Sequence, residues 1–362
     1  MSAIALATPD LIIAREGSLG VITLNRPKTI NALTLGMTRG IAAALDMFES
    51  DSSVAVVLIE GNGERGLCAG GDLRGLYESM RRGGDLDKIF WGEEYILDAH
   101  IAAYSKPNVA YMNGLVMGGG VGLSAHGGHR VVTEKTVVAM PEVGIGFFPD
   151  VGCTWLLAKA PGELGTYFGL TGAAMNAADA IHCGLGDLYM TTAHWPDVRV
   201  ALSRLDPGAT NPAVREVLSR SGSPIDATTI EEHRDLIDRS FAFDTVEEIL
   251  VALSTEQSDF ALKTRQSMLE KSPTSLKVTL RLLRAARSSA TLDQCLIREY
   301  GAALQAFVSH DFPEGIRAAV IDKDRQPKWS PADVAEVTPE MVDAYFAARG
   351  GYTLMLPSRG GK

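Results

Sequence analysis

The chain is poor in the features that mark several large protein classes. Its 362 residues include four cysteines, Cys68, Cys153, Cys183 and Cys295, and none falls in a C-x-x-C pair. So few, so widely spaced, they exclude a small disulfide-built scaffold and point to free thiols in a reducing compartment. Positive charge is also short: 34 Lys+Arg stand against 44 Asp+Glu, a formal net charge of −10. That balance argues against nucleic acid or an anionic membrane as the main partner. Aromatics make up 7% of the chain and are not interleaved with bases. No apolar run approaches the ~20 residues that a membrane span needs. The first residues, MSAIALATPDLIIAREG, contain neither a basic segment followed by an apolar one nor an Arg/Ser-rich amphipathic stretch, so they do not read as a targeting segment. A cytoplasmic protein is the resulting expectation. Nucleotide fingerprints are missing too. There is no G-x-x-x-x-G-K-[ST], and Gly118 to Gly122 does not keep the G-x-G-x-x-G spacing that a dinucleotide fold requires.

What is present suits a soluble α/β enzyme. With 46% hydrophobic and 22% charged residues, the composition is ordinary, and the length allows one large domain or two. Leu11–Ala14 and Val21–Leu24 flank Glu16-Gly17-Ser18 and read as a hairpin. Met37, Ile41, Leu45 and Phe48 recur at helical spacing over about Thr34 to Ser50. Val54–Ile59 is a β-branched run fit for a buried strand. It enters the loop GNGERGLCAGGDLRGLY, where Asp72 can cap the next helix. Ile89–Tyr104 reads as helix and Val109–Met112 as strand. Strand, Gly-rich loop and helix thus occur twice, which suggests stacked ββα units. Beyond Gly152 helices dominate, and the stretch from Asp206 to Pro224 has the most linker-like composition. Thr245 with Glu248, and Ser272 with Pro273, mark helix starts.

The stretch from Gly114 to Gly152, GLVMGGGVGLSAHGGHRVVTEKTVVAMPEVGIGFFPDVG, holds most of the candidate chemistry. Its glycine triplet, Gly118 to Gly120, precedes a helix-compatible run and can present free N–H groups to a phosphate or an oxyanion. Glu142 and Asp150 are carboxylates among apolar neighbours, where desolvation favours acid–base or nucleophilic work. Gly71, in the earlier loop, could supply a second donor beside Gly119. Ser124 misses the G-x-S-x-G elbow by one residue and reads as a small packed residue. His126 and His129 lack a third metal ligand. Glu94 is a further acid on a helix, with Glu93 as its decoy.

NALT at 31–34, AGGDLR at 69–74, GLVMGGGVGLS at 114–124 and AMPEVGIGFFPDVG at 139–152 together resemble the enoyl-CoA hydratase/isomerase (crotonase) superfamily. EEY at 93–95, PDVG at 149–152, SPTSLKVTLR at 272–281 and DFPEGIRAAVIDKD at 311–324 resemble its 3-hydroxyisobutyryl-CoA hydrolase branch. The resemblance covers nearly the whole chain. It implies an α/β crotonase-like spiral of ββα units over residues 1–205, holding the CoA-thioester site, and a mainly helical region over 206–362. It implies hydrolysis of a short β-hydroxyacyl-CoA from valine breakdown. The oxyanion donors map to Gly71 and Gly119, the catalytic carboxylates to Glu142 and Asp150, and the acyl-hydroxyl contact to Glu94. Lys28, Asn31, Ala32, Leu33, Ala69, Gly71, Asp72 and Leu73 map to the CoA-binding segments. No metal or redox cofactor is implied, an acyl-CoA is the partner, and self-association is possible. Hydratases of the superfamily carry a second glutamate where this chain has Gly122. That departure counts against hydration, while isomerases can work without that glutamate; an isomerase or hydratase of the same superfamily is the rival enzyme. A non-catalytic CoA-ester-binding protein is the rival of another class.

Overall fold

The computed structural model describes residues 2–3, 8–225, 228–347 and 353–356. Ten strands form two sheets. The larger runs β1-β2-β3-β4-β6-β8-β10 and the smaller β5-β7-β9. In chain order they are β1 Ser2–Ala3, β2 Leu11–Glu16, β3 Leu19–Leu24, β4 Val56–Gly61, β5 Gly66–Cys68, β6 Asn108–Met112, β7 Leu115–Met117, β8 His129–Val132, β9 Val137–Ala139 and β10 Leu188–Tyr189. The β2–β3 hairpin turns through Gly17 at φ 59° and pairs Leu11 with Leu24 through Glu16 with Leu19. From β3 onward every pairing in the larger sheet is parallel, and so is every pairing in the smaller.

The expected ββα repeat is borne out. A strand of the larger sheet is followed by a short strand of the smaller one, then by helix. β4 and β5 lead to α2 (Leu73–Arg81) and α3 (Leu86–Ala103); β6 and β7 lead to α4 (Gly119–Ala125). The helix foreseen near the N-terminus is α1, Leu35–Ser50, with Thr34 as N-cap and Met37, Ile41, Leu45 and Phe48 buried. The strand at 66–68 lies inside what reads as loop. Three residues that include a glycine are too few for a period-2 pattern to register.

The two faces of the larger sheet are covered differently. One carries Leu19, Val21, Val56, Leu58, Val109 and Val131 against Trp195, Val198, Leu202, Val214 and Leu218. Val214 and Leu218 belong to a helix, Asn211–Ser219, within the stretch that looked like linker. Its Pro at the first turn and its short apolar face suffice once a sheet is there to receive them. The other face joins the main core, shared with the helices after Gly152.

Those later helices start as the sequence foretold. Thr245 accepts the Glu248 N–H at 3.2 Å, and Ser272, followed by Pro273, accepts the Ser275 N–H at 3.1 Å. They also press on the site loop. A Cβ at Gly146, which sits at φ 74°, would strike the Asp311 carbonyl, and one at Gly315 would strike that of Ile145. The two backbones touch because both positions lack a side chain. Among the described residues no helix is long and apolar enough to cross a membrane.

Candidate active site

Three consecutive strands of the smaller sheet set up the site. β5, β7 and β9 run parallel and adjacent, so their carboxyl ends deliver Gly70-Gly71, Gly118-Gly119 and Pro141-Glu142 to one rim. Ligands collect at that end of parallel strands. A cavity of about 630 Å³ opens there, lined in part by Ala69, Gly71, Leu73, Glu94, Gly119, Glu142 and Asp150.

Gly119 is the first residue of α4, so its N–H has no partner in the helix. Gly71 lies beside Leu33, which donates to the Gly70 carbonyl at 2.8 Å and accepts from the Asp72 N–H at 2.8 Å. That pairing skips the Gly71 N–H. Among the described residues neither donor is taken up by a loop or side-chain acceptor. Gly118 holds φ 49°, and a Cβ there would come within 2.9 Å of Glu142 Oε1. At Gly119 a Cβ would collide with Glu94 Oε1. The glycines therefore serve two ends: they admit a ligand to the backbone and let two carboxylates lie against it.

Glu142 opens a 3-10 turn, Glu142–Ile145, and is 8% exposed; Asp150 is 5% exposed and Glu94 3%. Burial, with Asp150 nearby, pushes the Glu142 and Glu94 carboxyls well above the usual carboxylate range. Burial also raises Asp150 to about 7, although the Tyr95 hydroxyl, donating to Oδ2 at 2.7 Å, pulls the other way. Glu142 Oε2 and Glu94 Oε1 have no hydrogen-bond partner among the described residues. The sequence's decoy is resolved: Glu93, one residue before Glu94, faces outward and takes a two-pronged contact from Arg39 at 2.7 and 2.7 Å.

The expected CoA segment is only partly at the cavity. Ala69, Gly71 and Leu73 line it, whereas Lys28, Asn31, Ala32, Leu33 and Asp72 stand behind or beside it. Lys28 is exposed on the turn Pro27–Thr29. Asn31 is fully buried at φ 55°, and its amide donates to the carbonyls of Asn62, Gly66 and Leu67 at 3.1 Å each. Its side chain is thus a staple of the loop. Ala32 accepts from Arg26 through its carbonyl, and Asp72 caps α2 by accepting the Gly75 N–H at 3.2 Å. Ser124 donates to the Gly120 carbonyl within α4, and His126 and His129 bond to separate partners, the Val151 carbonyl and Asn211.

Several residues at the site carried no sequence signal. Trp91, Phe147 and Phe312 form an aromatic wall, with ring centroids 5.0 Å apart for Trp91–Phe147 and 4.8 Å for Phe147–Phe312. Lys271 and Arg325 bring cations to the lining, and burial pushes the Lys271 amine below its usual value. Behind the floor lies Asp98, fully buried, with neither oxygen hydrogen-bonded among the described residues. A Cβ at Gly122 would stand 2.6 Å from Asp98 Oδ1 and 2.9 Å from the Val151 Cβ. The position where a hydratase has its other glutamate is therefore closed as well as empty. Phe147 and Phe312 do lie inside the motifs at 139–152 and 311–324, and Tyr95 beside Glu94 in EEY, but no motif assigns any of the three a role.

The sequence model described as enoyl-CoA hydratase/isomerase matches residues 19–346. Among curated proteins, the mitochondrial 3-hydroxyisobutyryl-CoA hydrolase of Bos taurus is 42% identical, covering 96% of this chain and 91% of its own. That of Homo sapiens is 40% identical with the same coverage. Among solved structures, one titled a carnitinyl-CoA dehydratase from Mycobacterium thermoresistibile superposes with TM-score 0.91 at 42% identity, covering 97% of this chain and 100% of that one. One titled an enoyl-CoA hydratase from Rhodobacter sphaeroides gives 0.89 at 39%, covering 96% of this chain and 100% of that one. These relatives correct one expectation. The cytoplasmic placement does not stand, because the curated hydrolases are mitochondrial by name. Buried free thiols fit any reducing compartment, so they could not choose between the two. Fold, cavity and sequence agree that the chain belongs to the enoyl-CoA hydratase/isomerase family.

Proposed function

We propose that this chain is an acyl-CoA thioester hydrolase whose substrate is 3-hydroxyisobutyryl-CoA, converted with water to 3-hydroxyisobutyrate and CoA. The carrying observation is the composition of one cavity. Gly71 and Gly119, whose N–H groups have no loop or side-chain acceptor among the described residues, share it with two buried carboxyls, Glu142 and Asp150, and the second hydratase position, Gly122, has no room for a side chain. Curated relatives at 40–42% identity bear that hydrolase name.

The thioester carbonyl accepts from the Gly71 and Gly119 N–H groups, which stabilise the oxyanion as the carbon becomes tetrahedral. Once it has lost its proton, the Glu142 carboxylate, made more basic by the burial that lifts it, either attacks that carbon, giving an acyl anhydride that water then cleaves, or takes a proton from the attacking water. In both routes the C–S bond breaks and the thiolate needs a proton. Asp150, held at about 7, is close enough to a thiol's ordinary ~8.5 to supply it near neutrality. Glu94 accepts from the β-hydroxyl of the acyl group. Lys271 and Arg325 supply charge for the CoA phosphates. The steps require no metal or redox cofactor.

The test is to incubate the purified protein with 3-hydroxyisobutyryl-CoA and with crotonyl-CoA while titrating free thiol. Thiol release from the first is expected. Hydration of crotonyl-CoA without thiol release would sink the hydrolase reading and favour the activity named in the titles of the solved structures. Single-turnover hydrolysis in ¹⁸O-water separates the two roles of Glu142, since label enters the enzyme carboxylate only through the anhydride.

A further inference from the structure

Asp150 stands at the head of an unusual turn. Val151 holds φ 53° and Gly152 φ 74°, two left-handed residues in succession, the first β-branched. Val151 persists there only because its surroundings over-determine it. Three contacts come from nearby elements of the spiral: Tyr95 donates to Asp150 Oδ2 at 2.7 Å, His126 Nε2 meets the Val151 carbonyl at 2.7 Å, and the Cys153 N–H donates to the Asp150 carbonyl at 2.7 Å. Three donors that follow Val151 reach across the chain. Glu299, on the helix Leu292–Val308, accepts the Gly152 N–H at 2.7 Å through Oε2. Through Oε1 it accepts the Thr154 N–H at 3.2 Å and the Thr154 hydroxyl.

Glu299 is fully buried, and no cation pairs with it among the described residues. A fully buried carboxyl without a counter-ion is costly, and three donors converging on it are its compensation. It also replaces a missing cap: α5 (Cys153–Leu157) begins at Gly152, which has no side chain to receive the first N–H groups. The two carboxyls sense one another. Burial lifts Glu299 to about 8, its Thr154 and Gly152 donors oppose that, and the nearby Asp150 adds to it.

We propose that Glu299 is a positioning residue for the reaction: by gathering the N–H groups and hydroxyl that follow Val151, it fixes the turn that aims the Asp150 carboxyl into the cavity. This rests on the hydrolase reading for the role of Asp150. It gives the helical region after residue 206 a part in the chemistry without any atom of Glu299 touching substrate.

The experiment is a double-mutant cycle between Glu299→Leu and Asp150→Asn, with Leu296→Ala as a packing control on the same helix. Leu296 is fully buried and lies outside the cavity. A misplaced reacting group costs up to ~10²-fold, so Glu299→Leu is expected to lower kcat at least tenfold with KM within twofold. Leu296→Ala, assayed at the same interval below its own Tm as Glu299→Leu, should leave kcat within twofold. In the Asp150→Asn background Glu299→Leu should cost nothing further, since both act through one group. Should Glu299→Leu not fold, Glu299→Gln, which keeps one acceptor oxygen, takes its place and should give the same non-additivity at smaller size. Additive losses, or a kcat loss no greater than that of Leu296→Ala, would overturn the proposal. The cycle reads whichever acyl-CoA reaction the wild type performs. Absence of thiol release thus condemns the hydrolase reading alone, and the cycle on crotonyl-CoA hydration still decides the part of Glu299.

Discussion

Carboxylates meet opposite treatment in two regions of the molecule. Around residues 314–328, one guanidinium gathers three of them: Arg317 contacts Glu314 at 2.8 Å, Asp322 at 2.7 Å and Asp324 at 2.6 Å. Glu314 is held down to about 2, chiefly by its bonds to Arg317. Glu94, Glu142 and Asp150 at the cavity and Asp98 behind its floor lie within the interior with no salt bridge among the described residues, and burial drives all four upward. The first arrangement relaxes the fold. The second stresses it and keeps reactive groups poised, as sites of acid–base chemistry require.

Removing the reacting carboxyl breaks the comparison most severely. Glu142→Gln should lower thiol release by roughly 10²–10⁴-fold, read by a thiol titration under saturating substrate, while near wild-type turnover would take Glu142 out of the chemistry. Asp150→Asn should cost on the order of 10²-fold and change the pH profile. As the acid, Asp150 must be protonated, so wild-type turnover should fall as pH rises through about 7, and the variant should lack that alkaline limb.

The same variant carries a stability signature of known sign. Asp150 has a folded value of about 7 against an ordinary value of 3.8. Below about 4 both states are protonated and the group is neutral in its effect. Between those values the unfolded chain ionises first, so Asp150 increasingly destabilises the fold as pH rises. Asp150→Asn should therefore raise Tm at pH 8, by roughly 3–10 °C, and barely at pH 4. A Tm gain of equal size at both would show that charge burial is not the cause.

Gly122→Glu tests whether the missing hydratase carboxylate can be restored. The new side chain meets Asp98 and Val151 at once, and overpacking of that kind costs about 1–3 kcal/mol. The expected outcome is a lower Tm and no hydration of crotonyl-CoA. Appreciable hydration would mean that the floor yields. The mildest test lies in the other region. Glu314, whose folded value is lowered, stabilises above its unfolded value and loses that effect as pH falls toward 2. Arg317→Met should leave thiol release unchanged and flatten the Tm decline below pH 4, the reverse of what Asp150 produces.

Much of this was legible in the sequence because it rests on local rules. Thr34, Thr245 and Ser272 are helix starts by their side-chain chemistry, and the α1 stripe of Met37, Ile41, Leu45 and Phe48 is a matter of spacing. Gly71, Gly119, Glu142 and Asp150 could be singled out because glycine clusters and acids among apolar residues are rare patterns. Their meeting in one cavity was implied only by the family resemblance and not by spacing, because it depends on the pairing of β5, β7 and β9, each three residues long. Glu299 and Asp98 gave no signal at all. Each looks like an ordinary helical acid until another element arrives to bury it. Asn31 shows the converse: a residue from a recognisable motif whose side chain is spent inside the loop.

The contact between Gly146 and Asp311, with Ile145 against Gly315, has a consequence for the order in which activity is acquired. The loop that joins Glu142 to Asp150 is seated by a segment synthesised more than 160 residues later. A chain emerging from the ribosome would complete its glycine turns and both carboxylates before the segment that seats this loop has been made. Full seating of the loop between the two carboxylates thus waits on residues 311–315, which are among the later ones to be made.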